Sequence, residues 1–159
     1  MDQLTKQLVA IDVEAVPPLE PHEFEVVGPE DAVRVRFDDL DLKKLVPDVK
    51  SEEEAATRLP DWIKALNGRR IRIRGFMEPP FMAEGLTQFL IARDVYTTGW
   101  RQNPMISELV DVTLRDGVTT DYIHNRAFDV VGLLRITDEA KPGRFYQLTN
   151  AIVINSPQR

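Results

Sequence analysis

The sequence predicts an all-β chain with a minor helical segment, and three observations carry that reading. After Gly68 the apolar residues switch to a period of two, the spacing that puts alternate side chains on one face of a strand. Five such runs follow one another between Arg70 and Ile154. Turn and bend residues separate or interrupt them, as at Asp116-Gly117, Gly132 and Pro142-Gly143. Five short strands with glycines at the bends suit a five-stranded, OB-like closed barrel.

The elements follow in order. Residues 1–31 read as an acidic, proline-rich N-terminal extension with Pro17, Pro18, Pro21 and Pro29. Proline fixes φ and removes a donor, so extended geometry is favoured there. Phe24, Val26 and Val27 offer apolar anchors by which the extension docks on the barrel. Residues 32–159 read as one OB-like barrel domain. Within it, Val33–Phe37 alternates apolar and basic side chains as a short strand, and Asp38–Leu42 reads as a turn. A helical segment spans about residues 51–66. Ser51 and Glu54 form a capping box there, and Ala55, Leu59, Trp62, Ile63 and Leu66 recur at helical spacing. Pro60 opens a second short helix at its first position, and Asn67-Gly68 stops it.

In the first barrel strand Ile71 and Ile73 alternate with Arg70, Arg72 and Arg74, and Gly75 ends the clean run. The others fall at Leu86–Arg93, Leu109–Leu114, Phe128–Ile136 and Arg144–Ile154. Gly132 in mid-strand predicts a bulge or sharp bend. Ile73, Phe89, Val112, Val130 and Leu148 are the predicted inward-facing core.

Composition narrows the function classes. The chain has 159 residues, no cysteine and two histidines, His22 and His124. Disulfides, thiolate metal sites, cysteine nucleophiles and histidine-rich metal centres are therefore excluded. No apolar run approaches the ~20 residues of a helical membrane span. The net charge of −6 is unevenly spread. Residues 1–66 hold 16 acidic and 8 basic side chains; residues 67–159 hold 10 and 12, and 11 of those 12 bases are arginine. An acidic front half argues against a simple polyanion binder. The arginine-biased second half suits bidentate recognition of carboxylates and phosphates.

Four groups of residues are candidates for a site. The row Arg70, Arg72, Arg74 reads either as an anion groove for single-stranded nucleic acid or as a solvated strand face paired with the acids of the front half. The nearby Phe76, Phe81 and Phe89 read as core rather than as stacking platforms. Asp121 and His124 have the types of a catalytic dyad, but no nucleophile motif accompanies them. Glu78, Glu84 and Asp94 lack the spacing of a calcium loop. The segment Val95–Met105 concentrates Tyr96, Trp100, Arg101 and Met105, types enriched at interfaces. It reads as a partner-binding loop, with Trp100 as a lid over the barrel core as the competing account.

The stretch Ala65-Leu66-Asn67-Gly68-Arg69-Arg70-Ile71-Arg72-Ile73-Arg74-Gly75-Phe76-Met77-Glu78-Pro79 resembles the bacterial domain-of-unknown-function family 3299. The likeness continues through Gly85–Phe89, Ala92-Arg93-Asp94, Asp116-Gly117 and Val130-Val131-Gly132, and covers about residues 33–154. The resemblance implies a periplasmic or envelope setting. A chain that begins at Met1 without a secretory signal would instead be cytoplasmic. Family members carry cysteines after the second strand. Here that region reads Thr97-Thr98-Gly99-Trp100-Arg101, so no thiol or metal role transfers.

These readings converge on a non-enzymatic binding or assembly module without cofactor or metal. It would act through a protein partner or a second copy of itself, using Tyr96, Trp100, Arg101 and Met105. The alternative is an OB-like binder of single-stranded nucleic acid or another anion through Arg70, Arg72 and Arg74.

Overall fold

Six strands make one sheet that closes on itself in the computed structural model, which describes residues 24–94 and 104–154. They are β1 (Val33–Arg34), β2 (Arg70–Met77), β3 (Gln88–Ala92), β4 (Leu109–Leu114), β5 (Phe128–Ile136) and β6 (Tyr146–Val153). The ring runs β2-β3-β4-β6-β5, and β5 pairs back onto β2 from Arg70↔Leu133 to Gly75↔Phe128. β4 and β6 are parallel; the other four junctions of the ring are antiparallel. β1 lies outside the ring, parallel to β2. The fold is thus a closed five-stranded barrel with one extra strand and a few short helices.

Alternation explains the wall. In β2, Ile71, Ile73, Gly75 and Met77 are buried and the arginines point away. The five predicted core residues all face inward. Ile73, Val112, Val130 and Leu148 are fully buried and Phe89 nearly so. Ile73 lies opposite Val130, Phe89 opposite Val112, and Val112 opposite Leu148. The bend expected at Gly132 is a register shift between β5 and β6. A Cβ at that position would come within 2.9 Å of the Ala151 Cβ, so only glycine admits the close approach.

The segment before β2 is more helical than its sequence predicts. The strand expected over Val33–Phe37 stops at Arg34, and Phe37–Leu40 forms helix α1. Local capping decides this: the Asp39 carboxylate accepts the Arg36 N–H at 2.8 Å. Asp41 then caps helix α2 (Leu42–Leu45) by accepting the Lys43 N–H at 3.0 Å. Phe37, Leu40, Leu42 and Leu45 are buried, so tertiary packing pulls the expected turn into helix. Helices α3 (Glu52–Ala56) and α4 (Asp61–Lys64) occupy the predicted helical segment, with Ser51 Oγ accepting the Glu54 N–H. Pro60 stands before α4 as its N-cap rather than inside it.

Four hydrogen bonds tie this segment to the end of the barrel where β4 and β6 begin and β5 ends. Glu52 accepts the Ile106 N–H at 2.7 Å and the Ser107 hydroxyl at 3.2 Å. Tyr146 donates to the Leu40 carbonyl. Asn67 Oδ1 accepts the Ile136 N–H. Of the extension, residues 1–23 lie outside the described residues. Phe24 packs on Trp62 with ring centroids 5.9 Å apart, and Val26 pairs with Val33 although its side chain stays exposed. Among the described residues no helix is long and apolar enough to cross a membrane.

Candidate binding face on the barrel wall

The residues of β3 that do not enter the core build a surface. Gln88 is exposed and Leu90 half-buried, opposite Thr113 and Asp111 of β4. Asp111 in turn pairs with Gln147 of β6. Two connections rim this row. The β2–β3 connection supplies Glu78, Pro79, Pro80, Phe81 and Met82 on one side of β3, around a trough of about 510 Å³. The β5–β6 connection supplies Pro142, Gly143 and Arg144 on the other, around a second hollow of about 540 Å³. Both hollows share Gln88, Phe89 and Leu90, so they adjoin the same stretch of β3 and are together called the groove. This is the wall and the pair of loops through which OB barrels bind ligands.

The groove has an apolar rim and a polar floor. Phe81 is fully exposed and Met82 is 60% exposed. On the floor, Gln88 Nε2 donates to both Asp111 carboxylate oxygens at 3.1 Å. Burial pushes the Asp111 carboxyl up from its usual value, against the opposing pull of Gln88 and Arg144. A carboxylate held in a cleft at such a cost is a functional-site candidate.

Sequence reasoning missed this face. Phe81 read as core and is the opposite, whereas Phe89 is core and Phe76 is half-buried. The Pro79-Pro80 pair was the available signal: it stiffens a connection that then presents Phe81 and Met82.

The arginine row faces outward but is engaged within the chain. Arg72 Nε and Arg74 Nε meet the two oxygens of Asp129 at 2.6 and 2.7 Å, and Arg34 Nη2 joins them at 3.1 Å. Arg70 pairs with Glu30 at 3.1 Å and donates to the Asn150 carbonyl. Glu30 also accepts from Arg115 at 2.9 Å, and that hydrogen bond holds its carboxyl below the usual range. Of the expected pairing with the acids of the front half, only Arg70 with Glu30 is found among the described residues; Arg72 and Arg74 pair instead with Asp129 of β5, which the β2–β5 register brings beside them. Asp129 was legible as the one acid in the apolar run Phe128–Leu134.

The remaining candidates do not assemble. Tyr96, Trp100 and Arg101 lie outside the described residues. Met105 is half-buried and donates its N–H to Glu108 Oε1. Asp121 Oδ1 accepts from Gly85 N–H, while His124 Nδ1 faces the Tyr122 hydroxyl at 3.2 Å. Among the described residues, no three carboxylate or imidazole groups converge as metal ligands.

No family model matches the chain, and no curated protein matches it. Among solved structures, the chain is similar to a DUF3299 family protein from Pseudomonas aeruginosa PAO1. The two share 18% identity over 77% of this chain and 95% of that one, with a TM-score of 0.46. The family named there is the one that Ala65–Pro79 resembles.

Proposed function

We propose that this chain is a non-enzymatic binding module that docks a protein partner on the outer wall of β3 and β4. The observation that carries the reading is the fully exposed Phe81, set beside Met82 and two prolines at the rim of an apolar trough. Aromatic and methionine side chains held on a stiff connection supply contact area at low entropic cost. The floor adds a selective element. Asp111, a half-buried carboxylate whose partial burial raises its pKa, gains from a cationic or amide group brought by the partner. The fitting ligand is therefore an extended protein segment with one bulky apolar side chain and a nearby donor.

Single-stranded nucleic acid fits less well. The groove floor carries Asp111, and of its two rims one carries Glu78 and the other the single base Arg144. Arg70 and Arg72 are spent on Glu30 and Asp129.

A photoreactive amino acid at Phe81, used in cells, tests the proposal. The expected result is one adduct of defined mass that Asp111→Arg abolishes. A mass of twice the chain would identify a second copy as the partner. No adduct, or one that persists unchanged with Asp111→Arg, would overturn the reading.

A further inference from the structure

We infer that a second site, separate from the groove, binds a small phosphate monoester as its dianion. A cleft of about 470 Å³ lies between β1 and the end of β2, lined by Arg34, Arg36, Arg74, Arg93 and Phe76. Four arginines around one hollow is an unusual concentration in a chain of net charge −6.

Charge counting singles the cleft out. Asp129 is buried and takes three guanidiniums, from Arg34, Arg72 and Arg74. One negative charge against three positive ones leaves an excess of two. Burial would raise the Asp129 carboxyl, but the hydrogen bonds from Arg72, Arg74 and Arg34 outweigh it and hold it below the usual range. It is therefore ionised at neutral pH and has no further charge to give. Arg93 is different: Glu108 at 3.0 Å, Asp94 at 3.6 Å and Asp41 at 4.0 Å more than offset its charge, so it serves as a wall and the positive excess lies on the Arg34, Arg36 and Arg74 side of the cleft.

The donors remain available. The Arg74 side chain is 64% exposed and its ion pair with Asp129 engages Nε, which leaves its two terminal nitrogens. Arg36 is exposed, and among the described residues no carboxylate pairs with its guanidinium. A doubly charged oxyanion balances the excess on the Asp129 cluster, and forked guanidiniums match its oxygens bidentately. Half-buried Phe76 gives the organic part of the ester an apolar wall. A phosphate monoester carries close to two charges above its second pKa of about 6, whereas a sulfonate carries one.

Calorimetric titration of the full chain at pH 8 in chloride buffer tests this, with phenyl phosphate, inorganic phosphate and benzenesulfonate as probes. Phenyl phosphate should bind one saturable site more tightly than inorganic phosphate, and benzenesulfonate at least roughly tenfold more weakly. Equal binding of inorganic and phenyl phosphate would replace the ester by the free ion and overturn the assignment. Equal binding of the sulfonate, or no saturation, would also overturn it. Arg36→Gln should loosen phenyl phosphate by roughly tenfold, the worth of one charge-assisted hydrogen bond, while Arg135→Gln leaves it unchanged. An unaltered affinity in Arg36→Gln counts against the site. NMR of the wild-type guanidinium Nε–H groups gives a check without substitution. Phenyl phosphate should shift the Arg36 and Arg74 signals and leave those of Arg70 and Arg115 in place; the reverse pattern would overturn the site.

Discussion

The Tyr146 hydroxyl donates to the Leu40 carbonyl at 2.9 Å, joining the start of β6 to α1 across 106 positions of sequence. Both residues are fully buried, and burial pushes the phenol well above its usual pKa. Tyr146→Phe keeps the ring and orphans the carbonyl. It should lower unfolding free energy by about 1–3 kcal/mol, read as a lower urea midpoint at unchanged m-value.

Asp129 makes stability depend on acid. Its carboxyl titrates lower in the folded chain than the roughly 3.9 of an unfolded aspartate. Its contribution is therefore fully present above about pH 4 and is lost as pH falls through the folded value. Asp129→Asn strands three guanidiniums and should cost about 3 kcal/mol at pH 6. Between pH 5 and pH 2.5 the variant should lose less stability than wild type. Parallel urea midpoints for the two proteins would refute the account.

Gly132→Ala should be destabilising by about 1–3 kcal/mol, because its Cβ meets the Ala151 Cβ at 2.9 Å and the Thr149 carbonyl at 3.2 Å. Adding Ala151→Gly removes the nearer obstacle. The double variant should then recover part of the loss, a non-additivity that a thermal melt of all four proteins measures.

Two phenylalanines eight positions apart should behave oppositely. Phe89→Ala empties a core position next to Phe128, whose ring centroid is 6.1 Å away, and should cost about 3–5 kcal/mol. Phe81→Ala removes a fully exposed ring and should change stability by no more than about 0.5 kcal/mol. A large loss at Phe81 would mean that the ring packs on its own chain.

The barrel was legible where pattern and punctuation agreed. Leu109–Leu114 and Phe128–Ile136 fold with the bounds their alternation predicts, since apolar runs sit between an Asp-Gly turn and polar connections. Leu86 fell outside β3 because it bridges to Thr120, a partner that no local rule names. Glu52 sits between the capping residues Ser51 and Glu54 and carries no signal of its own, yet it is buried and satisfies Ile106 and Ser107. The Asp129 cluster was half legible: alternating arginines in Val33–Arg36 and Arg70–Arg74 announced two charged faces, but only the β1–β2 and β2–β5 registers bring them to one carboxylate. The groove was not legible, because its floor comes from outward positions on β3, β4 and β6 that share no sequence pattern.

The parallel β4–β6 pair also bears on how fast the chain assembles. β3 with β4, and β5 with β6, are sequence neighbours that pair antiparallel across single connections. β4 and β6 are separated along the chain by the whole of β5, and β2 and β5 by β3 and β4, so both seams join distant segments. Those seams bring no reward until long loops are closed, so refolding should run in the millisecond-to-second range typical of barrels rich in non-local pairing. The β2–β5 seam closes a long loop and should form late, so substitutions along it should speed unfolding more than they slow folding.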